Sequence, residues 1–149
     1  MELTQDFFRT LLDEASQSPR LRQSFDMRTS ASDQSQRMLN ALQPGTAVPI
    51  HRHSGSSESV LCLKGRLDEV LYTEVTLPGG ETALRETARY RLGTDGLAAG
   101  CQVPTGAWHT VEVLEPSIIF EAKDGPYAPA QPSDLWNGPV AKAVETAQQ

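Results

Sequence analysis

His51 and His53, with Glu58 a short distance on and His109 much farther along, are the residues of this chain whose types and spacing best suit chemistry. On a β-strand, positions i and i+2 point the same way, so the imidazoles of His51 and His53 can reach one point in space while Arg52 faces away. A turn through Ser54, Gly55, Ser56 and Ser57 would return the chain so that Glu58 opens the next strand beside them. Pro104 and Gly106 mark a second turn, which presents His109. Three neutral imidazoles and one carboxylate are nitrogen and oxygen donors suited to a divalent transition metal. A lone His-x-His is weak evidence, but here all three histidines of the chain fall into the pattern.

These residues also carry a resemblance. Gly45 to Gly65 matches the first motif of the cupin superfamily at each defined position, and Pro104-Thr105-Gly106-Ala107-Trp108-His109 matches the centre of the second. Ala98 and Val113 stand where that second motif has its leading Gly and trailing Asn. Over nearly the whole chain the sequence resembles the WbuC family of cupin-fold metalloproteins. The segments that carry this are Ser18 to Arg22, Gln36 to Leu39, His51 to His53, Ser57 to Ser59 and Glu121 to Tyr127. Asp26-Met27-Arg28 stands where that family is expected to show an Asn-x-His. The resemblance implies an all-β, cupin-type jelly-roll barrel with a short N-terminal helix. It also implies a link to O-antigen polysaccharide synthesis and, because small cupins commonly pair, a homodimer.

The expected cofactor is one divalent transition metal ion (Fe, Zn, Mn or Ni), held by His51, His53, Glu58 and His109. Four protein ligands on an octahedral ion leave two positions for a small-molecule ligand such as a sugar or sugar-nucleotide intermediate. An isomerase or epimerase, a dioxygenase, and a binding module without turnover are the readings left open. Glu121 and Tyr127 are the candidate proton carriers, Glu121 on a strand that should border the pocket and Tyr127 after a Gly-Pro turn. Lys123 shares the strand face of Glu121 and is a candidate substrate contact. Arg20 and Arg22 could grip an anionic group of the substrate in bidentate fashion. Cys62 shares the strand face of Glu58 and reads as a core thiol.

The elements that must position these groups are legible in the spacing of apolar residues. Phe7, Phe8, Leu11, Leu12 and Ala15 recur at helical intervals, with Thr4 as cap and Pro19 as stop, so a helix is expected to lie against the barrel or a partner subunit. Thr29 to Ser35 reads as a loop. Strands are expected near Arg37 to Leu42, Val48 to His53, Glu58 to Lys64, Arg66 to Val75, Ala83 to Leu92, Gly100 to Val103, Trp108 to Leu114 and Ile118 to Lys123. Turns fall at Pro78-Gly79-Gly80 and at Gly93 to Gly96. Apolar residues on both faces near Leu61, Leu63, Ile118 and Phe120 suggest a second covering layer, such as a second sheet or a partner. Past Tyr127 a Pro- and Ala-rich tail should run over the surface and end in a weak helix from about Val140.

At 149 residues the chain fits a single cupin domain over residues 1–149. Residues 1–28 are helix and arm, 37–123 barrel, and 124–149 tail. A net charge of −6 offers no basic stripe, so no nucleic acid is expected as partner. No apolar run approaches the roughly twenty residues of a membrane span, so no membrane is expected either. The acidic start, Met1 to Asp6, is unlike a secretory signal, and a cytoplasmic location is expected. Two cysteines, Cys62 and Cys101, are too few for a disulfide framework.

Overall fold

The computed structural model describes residues 1–141. Thr4 caps helix α1 (Gln5–Gln17), its hydroxyl accepting from the Phe7 amide at 3.1 Å, and Asp6 sits favourably in the first turn. Eight strands follow: β1 (Arg22–Asp26), β2 (Ser35–Leu42), β3 (Glu58–Lys64), β4 (Arg66–Thr76), β5 (Thr82–Gly93), β6 (Gly100–Val103), β7 (Trp108–Val113) and β8 (Ser117–Asp124). They form two sheets, ordered β1-β2-β8-β3-β6 and β5-β4-β7, with antiparallel pairing throughout. The sheets face each other as a jelly-roll barrel.

Two elements differ from expectation. Val48 to His53 is extended but carries only isolated bridges, from His51 to His109 and to Leu135, because Pro49 has no amide to donate to a ladder. Strand β1 is absent from the sequence reading, since Arg-Gln-Ser-Phe-Asp offers little apolar alternation; it forms because β2 pairs with it from Arg22↔Leu42 to Asp26↔Met38. The helix expected from about Val140 falls mostly outside the described residues, and Val140 itself bridges Leu84 in parallel.

Alternation along β8 separates two apolar clusters. Ile118 and Phe120 face outward, where α1 covers them with Phe8, Leu11, Leu12 and Ala15 together with Leu39 and Ala41. The second layer over this part of the barrel is therefore the chain's own helix. Ile119 faces inward with Leu42, Val60, Cys62, Leu67, Leu92 and Val103, closing the barrel beneath the histidines. Gly65 links β3 to β4 at φ +87°, and a side chain there would strike the Pro116 carbonyl and Ser117.

Because α1 is anchored on this face through buried apolar side chains, truncating one should be costly. Leu11→Ala is expected to lower unfolding free energy by ~2–5 kcal/mol in urea titrations. A loss below about 1 kcal/mol would show that α1 does not seal this sheet.

Candidate metal centre

The backbone builds the histidine cluster. His51 and His109 exchange both main-chain hydrogen bonds, at 3.0 and 2.8 Å, and the Gly106 amide donates to the His53 carbonyl at 2.8 Å. This places residues 51–53 antiparallel to the start of β7 with all three rings on one side. The ring centroids lie 4.2 Å apart for His51 and His109, 5.0 Å for His51 and His53, and 5.2 Å for His53 and His109. One ligand nitrogen from each lies within 4.8 Å of the others. Glu58 opens β3 and reaches the same point, its Oε2 2.8 Å from His53 Nε2 and 3.7 Å from His109 Nε2.

Tautomers are set from behind. His51 Nδ1 lies 2.8 Å from the Pro49 carbonyl and His109 Nδ1 2.9 Å from the Ala107 carbonyl, so each carries its proton there and turns a bare Nε2 inward. His53 Nε2, Glu58 Oε2 and His109 Nε2 are buried without a hydrogen bond; the short His53–Glu58 approach lacks the alignment of one. Converging lone pairs left unsatisfied in a buried site fit a cation. Burial, then the neighbouring His109, pushes the His51 imidazole down to about 4, so it stays neutral as a ligand must be. Burial alone would raise the Glu58 carboxyl, but His109 and His53 beside it hold it well below the usual carboxylate range.

A cavity of about 260 Å³ opens from these residues into the barrel, and His51, His109 and Glu58 form part of its wall. Glu121 also lines it, accepting from Asn40 Nδ2 at 2.8 Å. Burial and the neighbouring Glu58 push its carboxyl up to about 8. Arg22 reaches the cavity, whereas Arg20 lies only in an adjoining outer groove. Lys123 Nζ is 3.8 Å from Glu58 Oε2 but opens to an outer groove. Tyr127 lies outside the cavity wall, more than half exposed, with the Arg28 guanidinium 5.6 Å from its ring centre. It lines instead an outer groove whose wall also includes His51, His53 and Lys123, so it stands on the outer side of the histidine cluster and not in the inner cavity. Cys62 Sγ points toward the Lys64 and Gly65 carbonyls, in the core as expected.

Two features escape the sequence reading. Glu69 on β4 lies in the cavity wall, 2% exposed; its signal is an acid that alternates with Leu67 and Leu71 on one strand face. The tail also helps to build the site. Asp134 Oδ1 accepts from Arg52 Nε at 3.1 Å and from Ser54 Oγ at 2.8 Å, on either side of His53. The Trp136 amide donates to the Ile50 carbonyl at 2.9 Å, and Arg52 stacks 4.4 Å from the Trp108 ring centre.

The fold and this constellation define a protein of the cupin fold. By sequence, the chain belongs to the family described as a domain of unknown function, DUF6016, which matches residues 3–77. No curated protein matches the sequence. Among solved structures it is similar to KdgF from Halomonas sp., with a TM-score of 0.53 and 16% identity, over 74% of this chain and 84% of that one. It is also similar to CapF with the inhibitor 3-isopropenyl-tropolone, with a TM-score of 0.55 and 20% identity, over 78% of this chain and 31% of that one. A third is Lactobacillus farciminis oxalate decarboxylase in its formate complex, with a TM-score of 0.52 and 15% identity, over 71% of this chain and 29% of that one. At these identities the likeness is one of fold. Among the described residues, no helix is long and apolar enough to cross a membrane.

Glu121 makes stability pH-dependent with a defined sign. Its folded pKa of about 8 exceeds the ordinary 4.5, so its contribution is full below pH 4.5 and is lost as pH rises toward 8. In chelator-treated protein, Glu121→Gln should therefore gain stability relative to wild type as pH is raised across that window. Parallel melting curves for the two proteins from pH 5 to 8 would contradict this.

Proposed function

We propose that this chain is a metal-dependent cupin enzyme in which His51, His53, Glu58 and His109 hold one divalent transition metal ion. The observation that carries the reading is the convergence of inward-facing Nε2 atoms and a buried carboxylate, with no hydrogen bonds to satisfy them. Such an ion would act as a Lewis acid toward an oxygen of the substrate. Glu121 is the proton carrier in this proposal: it is buried against Glu58, lines the cavity and is raised toward neutral pH, where a group can both give and take a proton. Asn40 orients the Glu121 carboxyl. Arg22, at the cavity, binds an anionic group of the substrate, and the adjoining Arg20 adds to the positive potential there.

The substrate we propose is a small polar metabolite such as a sugar, and the reaction an isomerisation or epimerisation. A cavity of about 260 Å³ suits a sugar alone, so a nucleotide attached to it would have to lie in the outer grooves. Ionisable groups lining the cavity favour turnover over simple binding, which would be served by an apolar pocket. Dioxygenase chemistry is the alternative that the same open metal positions would allow. A place in the WbuC family, a role in surface-polysaccharide synthesis and a cytoplasmic location belong to the same proposal, on the sequence motifs given above. So does a homodimer, for which the exposed Leu61 on β3 offers an apolar contact.

Elemental analysis should find one divalent ion per chain, and His109→Ala should abolish its uptake. At a thousandfold excess over its dissociation constant the ion contributes about 4 kcal/mol, so chelation should lower Tm by on the order of 10 °C. An identical melting curve with and without chelator would remove the metal from the account. Light scattering should give twice the chain mass; a monomer at every concentration would end the dimer proposal.

A further inference from the structure

Glu69 is a buried acid that neither the fold nor the metal centre accounts for. It projects from β4, in the three-stranded sheet, into the cavity that Glu121 enters from β8 of the other sheet. At 2% exposure it makes no hydrogen bond with any described residue. Arg89 and Arg91 serve its neighbour Asp68 on the opposite strand face. Its carboxyl opens onto the cavity and meets no donor of the described residues, and Leu67 on the same face already supplies the packing. An apolar residue would stabilise this position better. Unpartnered, buried and aimed into a cavity, Glu69 has the placement of a group whose hydrogen-bond partner is a ligand.

The surroundings define that ligand's chemistry. Val48, Val111 and Ile119 give the cavity an apolar lining, while Glu69, Glu121 and Asn40 project polar groups into it. We propose that Glu69 is a substrate-contacting residue whose carboxyl bonds a hydroxyl of a small polyhydroxylated ligand, one end of which faces the histidine cluster. This rests on the metal-centre reading for the orientation of the ligand, and on the cavity alone for the contact. Vicinal hydroxyls reach carboxyl groups on opposed walls, and the C–H faces of the same ligand meet the apolar lining. Burial, reinforced by Glu58 and Glu121, pushes the Glu69 carboxyl well above its usual range, so it can donate to a ligand oxygen as well as accept.

The test uses wild type, Glu69→Gln and Glu69→Leu, each offered cobalt(II) and then titrated with D-xylose, D-glucose and D-glucuronate. Visible cobalt absorption and Tm are the readouts. The expected result is equal cobalt uptake in all three proteins and a sugar-induced spectral and Tm shift in wild type. Affinity should weaken at least tenfold in Glu69→Leu and less in Glu69→Gln, and sugar-free Glu69→Leu should melt a few degrees above wild type. The proposal is overturned if none of the sugars shifts wild type, if both variants bind as tightly as wild type, or if sugar-free Glu69→Leu melts below wild type. Should Glu69→Leu fail to fold, undiminished sugar affinity in Glu69→Gln overturns it. Failure of wild type to take up cobalt would remove the metal reading alone, and the Tm shift with sugar in metal-free protein would still decide Glu69.

Discussion

The packing of one carboxylate and three imidazoles into the same buried space is the constraint on which the rest of this structure depends. Glu58 is almost fully buried, with His53 Nε2 2.8 Å away and His109 Nε2 within 3.7 Å. Groups of this kind repay burial only when paired, hydrogen-bonded or bound to a cation. The carbonyls of Pro49 and Ala107 occupy the Nδ1 positions and leave the remaining donors to converge. Arg52, Ser54 and Asp134 then fix the turn that carries His53. The apolar cluster beneath, from Leu42 to Ile119, makes the floor on which these polar groups stand.

The same constraint organises the acids farther in. Glu58, charged because its histidine neighbours favour it, disfavours charge on Glu121 and Glu69. Carboxyl groups in one low-dielectric space thus take different protonation states, a division of labour that acid–base chemistry exploits. Helix α1 acts elsewhere. It seals the outer face of the β2 and β8 strands, so that their inner residues can be given over to the cavity.

How much of this is legible in the sequence depends on whether a property is local. His51-x-His53 and Glu58 after a Ser- and Gly-rich turn are local and place the cluster. The period-two alternation of Ile119, Glu121 and Lys123 shows two faces of β8 without telling which is inward; α1 packed on Ile118 and Phe120 decides that. Strand β1 is not legible, because its polar residues become a strand only when β2 is there to pair with them. Val48 to His53 reads as a strand from composition, yet its Pro49 leaves only isolated bridges at His51. The Gly-Pro turn before Tyr127 puts it near the histidines, and only the path of the tail shows that it lines the outer groove beside His51 and His53 and not the inner cavity. Asp134 and Trp136 lie in a Pro-rich tail that reads as surface, and only their long-range bonds to residues 50–54 reveal a structural part. Glu69 stays hidden because it is one of three acids on β4, beside Asp68, and only the cavity shows that it faces inward.

The central claim is that the three histidines and Glu58 together hold one metal ion. X-ray absorption spectroscopy of the metal-loaded protein tests it most directly. The account predicts nitrogen and oxygen scatterers at about 2.0–2.2 Å with the outer-shell pattern of three imidazole rings, reduced to two rings in His109→Ala if that variant retains any ion. A spectrum with no imidazole signature, or one unchanged by the loss of His109, would contradict it.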